Sequence, residues 1–145
     1  VDDDEDILTL YRLALMRKPD WNIYSASDGP SALIQANQCR PNLIVLDVTL
    51  PGDMTGIEIC RQLRLNFAAA QVPIIIVSAL NDLRTSRAAH AAGAQEFWTK
   101  PVSLIKFVEH LEKVMNETDY DPISIERWGI SLEKQTRARA SSRID

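Results

Sequence analysis

The sequence has few of the residues that mark several common classes of protein. Among its 145 residues are only two cysteines and two histidines, and neither pair has the spacing of a zinc site. Isolated thiols without a disulfide framework are typical of a reducing compartment. No apolar run approaches the roughly 18 residues that cross a bilayer, and no signal segment opens the chain. We therefore expect a cytoplasmic protein with no membrane partner.

An excess of basic charge is also lacking. The chain carries 16 basic and 20 acidic residues, which gives a formal net charge of −4. A domain that binds nucleic acid is usually basic, so we expect no nucleic-acid contact by this chain. The hydrophobic content of 46% is ordinary for a globular protein, and the length fits one domain with its own core.

Strand and helix patterns alternate along most of the sequence. Four stretches have a strand pattern, and two of these, LIVL and IIIV, are wholly apolar, as is typical of parallel strands covered on both faces. The alternation predicts a doubly wound α/β fold with a parallel sheet. The predicted strands are 21–26, 43–46, 74–77 and 95–99, and four of the predicted helices are 5–17, 57–65, 82–92 and 103–115. A further helix is predicted to follow a turn at residues 27–30 and to end at about residue 38.

The first strand of this pattern is short. The acidic cluster over residues 2–6 should follow a strand, yet only Val1 precedes it. Either the sequence begins inside the first strand, or the sheet has lost a central strand. The second alternative leaves two unpaired inner edges, which is costly, so we favour a truncated first strand. We expect residues 1–116 to form one domain and 117–145 to form a linker or tail that could include one more helix.

Polar residues stand where the predicted strands end. Asp2 and Asp3 open the first loop, Asp47 ends the third strand, Ser78 the fourth and Lys100 the fifth. In an open parallel sheet, ligands bind at the carboxyl ends of the strands. Three carboxylates, a hydroxyl and an ammonium are therefore predicted at one edge.

Each of these residues also has a simpler explanation when it is taken alone. Acids near a helix start complement its dipole, Ser78 could cap a turn, and Lys100 could be an ordinary surface residue. Asp47 is harder to explain in this way, because a carboxylate directly after a buried strand needs a partner. One shared site explains all of these residues without four separate coincidences.

The chemistry of this group favours phosphoryl transfer. Clustered carboxylates repel each other unless a cation joins them, and oxygen ligands with open water positions suit Mg²⁺. A metal and an ammonium together can neutralise the oxygens of a transferred phosphoryl group, and a carboxylate can act as the nucleophile. The residues alone therefore predict a metal-assisted phosphoryl site with a carboxylate nucleophile.

Five segments of the chain resemble the response-regulator receiver family, in the order and spacing of that family. They are VDDDEDI, LIVLDVTLPG, GIEICRQLR, VPIIIVSA and AAGAQEFWTKP, and the resemblance is nearly continuous from residue 1 to about residue 115. It implies a flavodoxin-like sheet of five parallel strands in the order 2-1-3-4-5, here with its first strand truncated. It also implies a phosphoprotein of a two-component system or phosphorelay, which receives its phosphoryl group from the phosphohistidine of a histidine kinase or phosphotransfer protein.

The resemblance assigns a role to each residue of the site. Asp47 is the phosphoacceptor, and Lys100 and Ser78 contact the phosphoryl group. Magnesium is bound directly by Asp3, by Asp47 and by the backbone carbonyl of Thr49. Asp2 is expected to bind the same Mg²⁺ through water.

The resemblance also implies a conformational switch. Phe97 is expected to swing inward as Ser78 moves, and the peptide bond before Pro101 is expected to be cis. The changed surface would consist of the fourth helix, the fifth strand and the fifth helix, with Trp98 exposed on it. A homodimer could form through that face. Such a protein promotes only its own phosphorylation and dephosphorylation, so we do not expect an enzyme that acts on other substrates.

Departures from the family pattern and other functions stay open. The loop over residues 51–56 is one residue longer than usual and lacks the acid expected before its second glycine. An Asp-nucleophile phosphohydrolase of small molecules is one alternative, although Thr49 stands where such an enzyme has a second acid. A receiver that only binds partners, or a receiver fragment of a larger hybrid or output protein, are the others.

Overall fold

The computed structural model describes residues 1–66 and 70–116. The expectations for residues 117–145 lie outside the described residues. The described part of the chain has five helices and three strands, and helices and strands alternate from α2 onward. They are α1 (Glu5–Leu15), α2 (Gly29–Cys39), β1 (Ile44–Leu46), α3 (Gly56–Leu65), β2 (Ile74–Ser78), α4 (Leu83–Ala91), β3 (Glu96–Thr99) and α5 (Leu104–Asn116).

The three strands form one parallel sheet in the order β1-β2-β3. Ile44 of β1 pairs with Ile74 of β2, and Ile76 of β2 pairs with Phe97 of β3. The predicted α/β class and parallel sheet are confirmed. For the five helices and for the three strands that are observed, the predicted boundaries agree with the observed ones to within about two residues.

The core lies on both faces of β2, whose five residues are all buried. Alternate residues of β2 point to opposite faces, so Ile74 and Ile76 join one apolar cluster, and Ile75 and Val77 join the other. The first cluster contains residues of α2, α3 and α4, while the second contains residues of α1 and α5. The helices therefore cover the sheet on both sides, as the apolar strands predicted.

Polar residues set where the helices begin. Four helices have an N-cap side chain that accepts a hydrogen bond from a backbone N–H of the first turn, as this position favours. These residues are Asp4, Asp28, Thr55 and Asp82. Asp4 is therefore accounted for by the start of α1, whereas Asp2 and Asp3 are not.

The prediction of a strand over residues 21–26 is wrong. A parallel strand needs a neighbouring strand that bonds to it along its whole length. This segment instead has a main-chain bond at one end, from the Asp2 nitrogen to the Ala26 oxygen at 3.2 Å. The five-stranded sheet is accordingly seen as three strands in the described part of the chain, which correspond to the third, fourth and fifth predicted strands.

No helix in residues 1–66 and 70–116 is long and apolar enough to cross a membrane.

Gly56 lies directly under the end of β1, where a side chain has no room. A Cβ atom at this position would stand 1.8 Å from the Asp47 carbonyl oxygen. The Gly56 amide also donates to the Val48 carbonyl at 2.8 Å. The start of α3 can therefore approach the backbone of Asp47 only because residue 56 is glycine.

We predict that Gly56→Ala lowers the free energy of unfolding by ~2 kcal/mol or more, because the overpacked methyl group forces the backbone around Asp47 to shift. Urea unfolding measures this loss. Gly52→Ala is the matched control, since Gly52 has a φ of +91° but nothing within 4 Å of an added Cβ. It should cost only the ~1 kcal/mol of a strained backbone. Equal losses in the two variants would contradict the close-contact explanation.

Candidate functional site

The ammonium of Lys100 lies between two carboxylates at the carboxyl edge of the sheet. Its Nζ donates to Asp2 Oδ2 at 2.7 Å and to Asp47 Oδ2 at 2.6 Å. The two acids are almost fully removed from water, with exposed fractions of 4% for Asp2 and 7% for Asp47. Carboxylates this deeply buried require a cationic partner, which Lys100 supplies.

Several contacts hold Asp47, which directly follows the apolar strand β1. Its backbone nitrogen donates to the Val1 carbonyl at 3.0 Å. Its side-chain Oδ1 accepts from the Thr49 amide, also at 3.0 Å. Gly56 packs against its carbonyl. With Oδ1 bonded to the backbone, Oδ2 is the oxygen that faces Lys100.

The acidic pair before α1 has one buried and one exposed member. Asp2 Oδ1 accepts from the Asp4 amide at 3.0 Å, which fixes the Asp2 side chain at the mouth of the first loop. Asp3 is exposed. Asp2, Asp3 and Asp47 each contribute one oxygen to a group in which all oxygens lie within 4.8 Å of one another. The three predicted carboxylates therefore do come together.

Ser78 ends β2 and is fully buried. Its hydroxyl oxygen accepts from the Leu80 amide at 3.2 Å, and its carbonyl accepts from the Lys100 amide at 2.8 Å. The parallel pairing of β2 with β3 therefore fixes the position of Lys100 relative to the end of β2.

The environment of Lys100 favours its charged form. Burial lowers the pKa of the ammonium, but the hydrogen bonds and charges of Asp2 and Asp47 outweigh burial and raise the pKa above its usual value. A raised lysine pKa stabilises the fold throughout the neutral range, and this contribution is lost only as the pH rises through the pKa of the folded state. The ammonium of Lys100 is therefore charged at neutral pH.

Two neighbouring aromatic residues of β3 point to opposite faces of the sheet. Phe97 is half-buried against the cluster that contains α2, α3 and α4. Trp98 packs edge-on against Phe107, with ring centroids 5.3 Å apart, and its Nε1 donates to Glu96 at 2.8 Å. Trp98 is half-buried here, because it contacts α5. Its exposure on the changed surface of the phosphorylated state stays a prediction.

Thr49 and Pro101 are the two remaining residues that were predicted for the site. Thr49 is exposed, two residues after the proposed acceptor, and its amide bonds to Asp47. The peptide bond between Lys100 and Pro101 is cis. The sequence did not predict the close contact of Gly56 with Asp47. The one indication in the sequence was the position of Gly56 at the end of a Pro- and Gly-containing loop that leads into a helix.

A nearly buried carboxylate beside an ammonium, with two further acids at the same edge, can accept a phosphoryl group. The oxygen that faces Lys100 is positioned to attack, and the ammonium can remain beside the oxygens of the transferred group. The three clustered carboxylates offer the hard oxygen donors that Mg²⁺ prefers.

Comparison with curated proteins identifies relatives of about twice the length of the matched region. The chain is 34% identical over 116 residues to the probable transcriptional regulatory protein TcrX of Mycobacterium tuberculosis, covering 80% of this chain and 48% of the relative. It is 33% identical over 135 residues to the alkaline phosphatase synthesis transcriptional regulatory protein PhoP of Bacillus subtilis, covering 93% of this chain and 55% of the relative. The chain thus spans about half the length of these relatives.

Solved structures share the fold over most of the chain. A putative response regulator from Chloroflexus aurantiacus matches with a TM-score of 0.71 and 28% identity, covering 79% of this chain and 93% of that one. A CheY-like response regulator receiver domain protein from Methanospirillum hungatei matches with a TM-score of 0.73 and 25% identity, covering 80% and 90%. These likenesses confirm the receiver-type α/β fold that the sequence predicted.

The family model for the response regulator receiver domain matches residues 1–112, which include every residue of the site described above. The chain therefore belongs to the response regulator receiver family.

Proposed function

We propose that Asp47 is the phosphoacceptor of this receiver and that its phosphoryl group comes from the phosphohistidine of a histidine kinase or phosphotransfer protein. Transfer of a phosphoryl group to an aspartate, in partnership with a histidine kinase, is the general function of the family. The observation that carries the residue assignment is the 2.6 Å contact between Lys100 Nζ and the Oδ2 atom of a nearly buried Asp47.

The surroundings of Asp47 suit an in-line transfer. Oδ2 would form the new bond to phosphorus while the bond from phosphorus to the histidine nitrogen breaks, and the imidazole leaves with that electron pair. The Thr49 amide holds the other carboxylate oxygen, so the acceptor cannot rotate freely. Lys100 would exchange part of its contact with Asp47 for contact with the phosphoryl oxygens, and Ser78 would donate its hydroxyl to another of them.

The donor set fits magnesium. We assign Asp3, Asp47 and the backbone carbonyl of Thr49 as direct ligands, with Asp2 acting through water. Carboxylate and carbonyl oxygens are the donors that Mg²⁺ prefers, and the exposure of Asp3 leaves room for the waters that Mg²⁺ retains. When bound, the ion would neutralise negative charge on the transferred group.

The output is proposed to lie in the changed face formed by α4, β3 and α5. Ser78 ends β2 and Phe97 lies on the neighbouring strand β3, and we infer that they move together when the site is phosphorylated. The same face could support a homodimer. We further propose that the chain acts in the cytoplasm. We also propose that it phosphorylates and dephosphorylates only itself, because the exposed Thr49 stands where an Asp-nucleophile phosphohydrolase has a second acid.

The two curated relatives are named as transcriptional regulators, and the matched region covers about half of each. We propose that this chain contributes the phosphoryl switch of such a protein and makes no nucleic-acid contact itself. Its net charge of −4 supports this assignment.

The first prediction from the proposed function concerns the acceptor. Incubation of the protein with a small acyl phosphate and Mg²⁺ should add one phosphoryl group, detected by intact mass, and Asp47→Asn should abolish the increment because the nucleophile is lost. Asp53→Asn, an exposed acid in the neighbouring loop, is the control and should be phosphorylated normally. An increment that survives Asp47→Asn would sink the assignment.

The second prediction concerns the metal. Asp3→Asn should weaken Mg²⁺ binding by about tenfold or more, equivalent to ~1.4 kcal/mol, because a charged ligand is replaced by a neutral one. Titration followed by tryptophan fluorescence or NMR measures the affinity. Asp4→Asn is the matched control, since Asp4 caps α1 and Asn is an equally good cap. Equal Mg²⁺ affinity of the two variants would contradict the assigned ligand set.

The third prediction concerns the ion-paired cluster. Lys100→Met should lower the free energy of unfolding by ~1–3 kcal/mol in the absence of divalent cations, since two buried carboxylates lose their partner. Mg²⁺ should restore part of this stability by replacing the missing positive charge. Lys106→Met, on the exposed side of α5, should change little. A Lys100→Met protein as stable as the control, with no response to Mg²⁺, would refute the role of the ammonium.

A further inference from the structure

Helix α4 is held firmly at one end and loosely at the other. At its start, residues 79–84 are all exposed, and they include Leu80 and Leu83, with exposed fractions of 44% and 64%. At its end, Ala89 and Ala92 are buried in the larger core cluster. Since local opening is easiest where few apolar groups are buried, the two ends of α4 should differ in how readily they move.

Three successive carbonyl groups in the turn from α4 to β3, at residues 92–94, accept hydrogen bonds from side chains. The donors are the Cys60 thiol at 3.5 Å, the Arg64 guanidinium at 2.7 Å and His90 Nδ1 at 3.0 Å, in that order. Burial raises the pKa of the Cys60 thiol to about 11, so this group keeps the proton that it donates. Carbonyl groups at the end of a helix lack partners within the helix, so these bonds anchor the end of α4.

Arg64 makes several of these anchoring contacts at once. Its guanidinium donates to the Gly93 carbonyl through Nε at 3.0 Å and through Nη2 at 2.7 Å. Nη1 donates to the Val72 carbonyl at 2.7 Å. Nη2 also donates to Gln95 Oε1 at 2.9 Å, and the same oxygen accepts from the Ile74 amide at 2.6 Å. One planar cation thus joins α3, the approach to β2 and the turn from α4 to β3.

Gly93 leaves room for this guanidinium. A Cβ atom at residue 93 would stand 2.8 Å from both Cγ and Nε of Arg64, and the φ of +102° also favours glycine. The backbone of the turn and the side chain of Arg64 therefore fit closely against each other.

The start of α4 is linked to the carboxyl edge of the sheet instead. Ser78 ends β2, and its hydroxyl oxygen accepts from the Leu80 amide at 3.2 Å. Asp82, two residues later, is the N-cap of α4. A hydroxyl can donate to one group while it accepts from another, so a Ser78 hydroxyl that turns toward a phosphoryl group would keep its bond to Leu80. A movement of Ser78 would thus reach the start of α4 through a short exposed segment.

We propose that Arg64 is a positioning residue that fixes the end of α4, so that phosphorylation of Asp47 moves only the start of this helix. The helix then acts as a lever whose fixed point is the turn at residues 92–95. The moving end carries Leu80 and Leu83, whose apolar side chains change their place on the proposed output face. The movement rests on the proposed function, whereas the anchoring by Arg64 does not.

The length of α4 makes a small rotation sufficient. Its nine residues span ~13 Å at ~1.5 Å per residue, so a rotation of about 10° around the fixed end would move the start by ~2 Å. Without the anchor, the same push at Ser78 would displace the whole helix and would spread into the turn that leads to β3. Arg64 would therefore decide where in α4 the response to phosphorylation appears.

The test measures amide hydrogen exchange in the 145-residue chain, at rest and after incubation with a small acyl phosphate and Mg²⁺. Ser86, whose amide donates to the Asp82 carbonyl, reports on the start of α4. Ala94, whose amide donates to the Ala89 carbonyl, reports on the anchored end. Ile76, in the centre of the sheet, corrects for any loss of overall stability.

Four variants separate the anchor from general effects. Arg64→Met removes the donors, and Arg64→Lys keeps the charge with a single donor group. Arg61→Met is the matched control, because Arg61 lies on the same helix but is exposed and pairs with Glu58 at 3.1 Å. Gln95→Leu removes the acceptor that Arg64 and Ile74 share, and it tests the anchor independently should Arg64→Met fail to fold.

Relative to Ile76, Arg64→Met and Gln95→Leu should speed exchange at Ala94 in the resting chain, the former by about tenfold or more, and Arg64→Lys should speed it less. Phosphorylation of the unchanged chain should alter exchange at Ser86 by about tenfold or more and exchange at Ala94 by less than about twofold. In Arg64→Met it should alter both amides, whereas Arg61→Met should behave like the unchanged chain.

Equal exchange at Ala94 in Arg64→Met and Arg61→Met, after correction by Ile76, would overturn the anchor. A phosphorylated unchanged chain in which Ser86 and Ala94 respond equally would overturn the lever. If no phosphoryl group is added at all, the proposed function fails, and exchange at Ala94 in the resting variants still decides whether Arg64 anchors α4.

Discussion

The ion-paired contact of one lysine with two nearly buried aspartates is the interaction on which the rest of the site depends. Taking two carboxylates out of water is costly, and the cost is offset only where a cation is held between them. The fold meets this requirement through strand order, since β1 and β3 flank β2 and end at the same edge. Asp47 and Lys100 therefore converge over the end of β2, and the turn after Val1 adds Asp2 to the same ammonium.

This arrangement makes the resting site sensitive to added charge. A phosphoryl group on Asp47 would bring new negative oxygens to Lys100, which already has two carboxylate partners. The ammonium would have to redistribute its contacts, and it leaves the sheet one residue after β3. Phe97 lies on β3, half-buried against the larger core cluster. The proposed switch would therefore act from Lys100 to Phe97 through one strand.

Local patterns in the sequence predicted the helices and the buried strands closely, because apolar periodicity and N-cap residues act within a few positions of the chain. The site residues were predictable for a related reason, since parallel strands place their ends at one edge. The lack of a strand at residues 21–26 was not predictable, because strand pairing depends on a partner far away in sequence. The tight approach of Gly56 to Asp47 and the half-burial of Trp98 against Phe107 likewise depend on packing between distant segments.

The site has unequal support on its two sides. Asp47 is fixed by the β1 backbone, by the Thr49 amide and by close packing with Gly56. Apart from the Lys100 ammonium that both acids share, Asp2 relies on single bonds from its own nitrogen to Ala26 and from Asp4 to its side chain. The backbone of Val1 and Asp2 bonds both to the end of β1 and to Ala26, and it carries the acidic pair. Asp47 is thus held by the sheet itself, whereas the position of Asp2 depends on how firmly the first loop is tied to its neighbours.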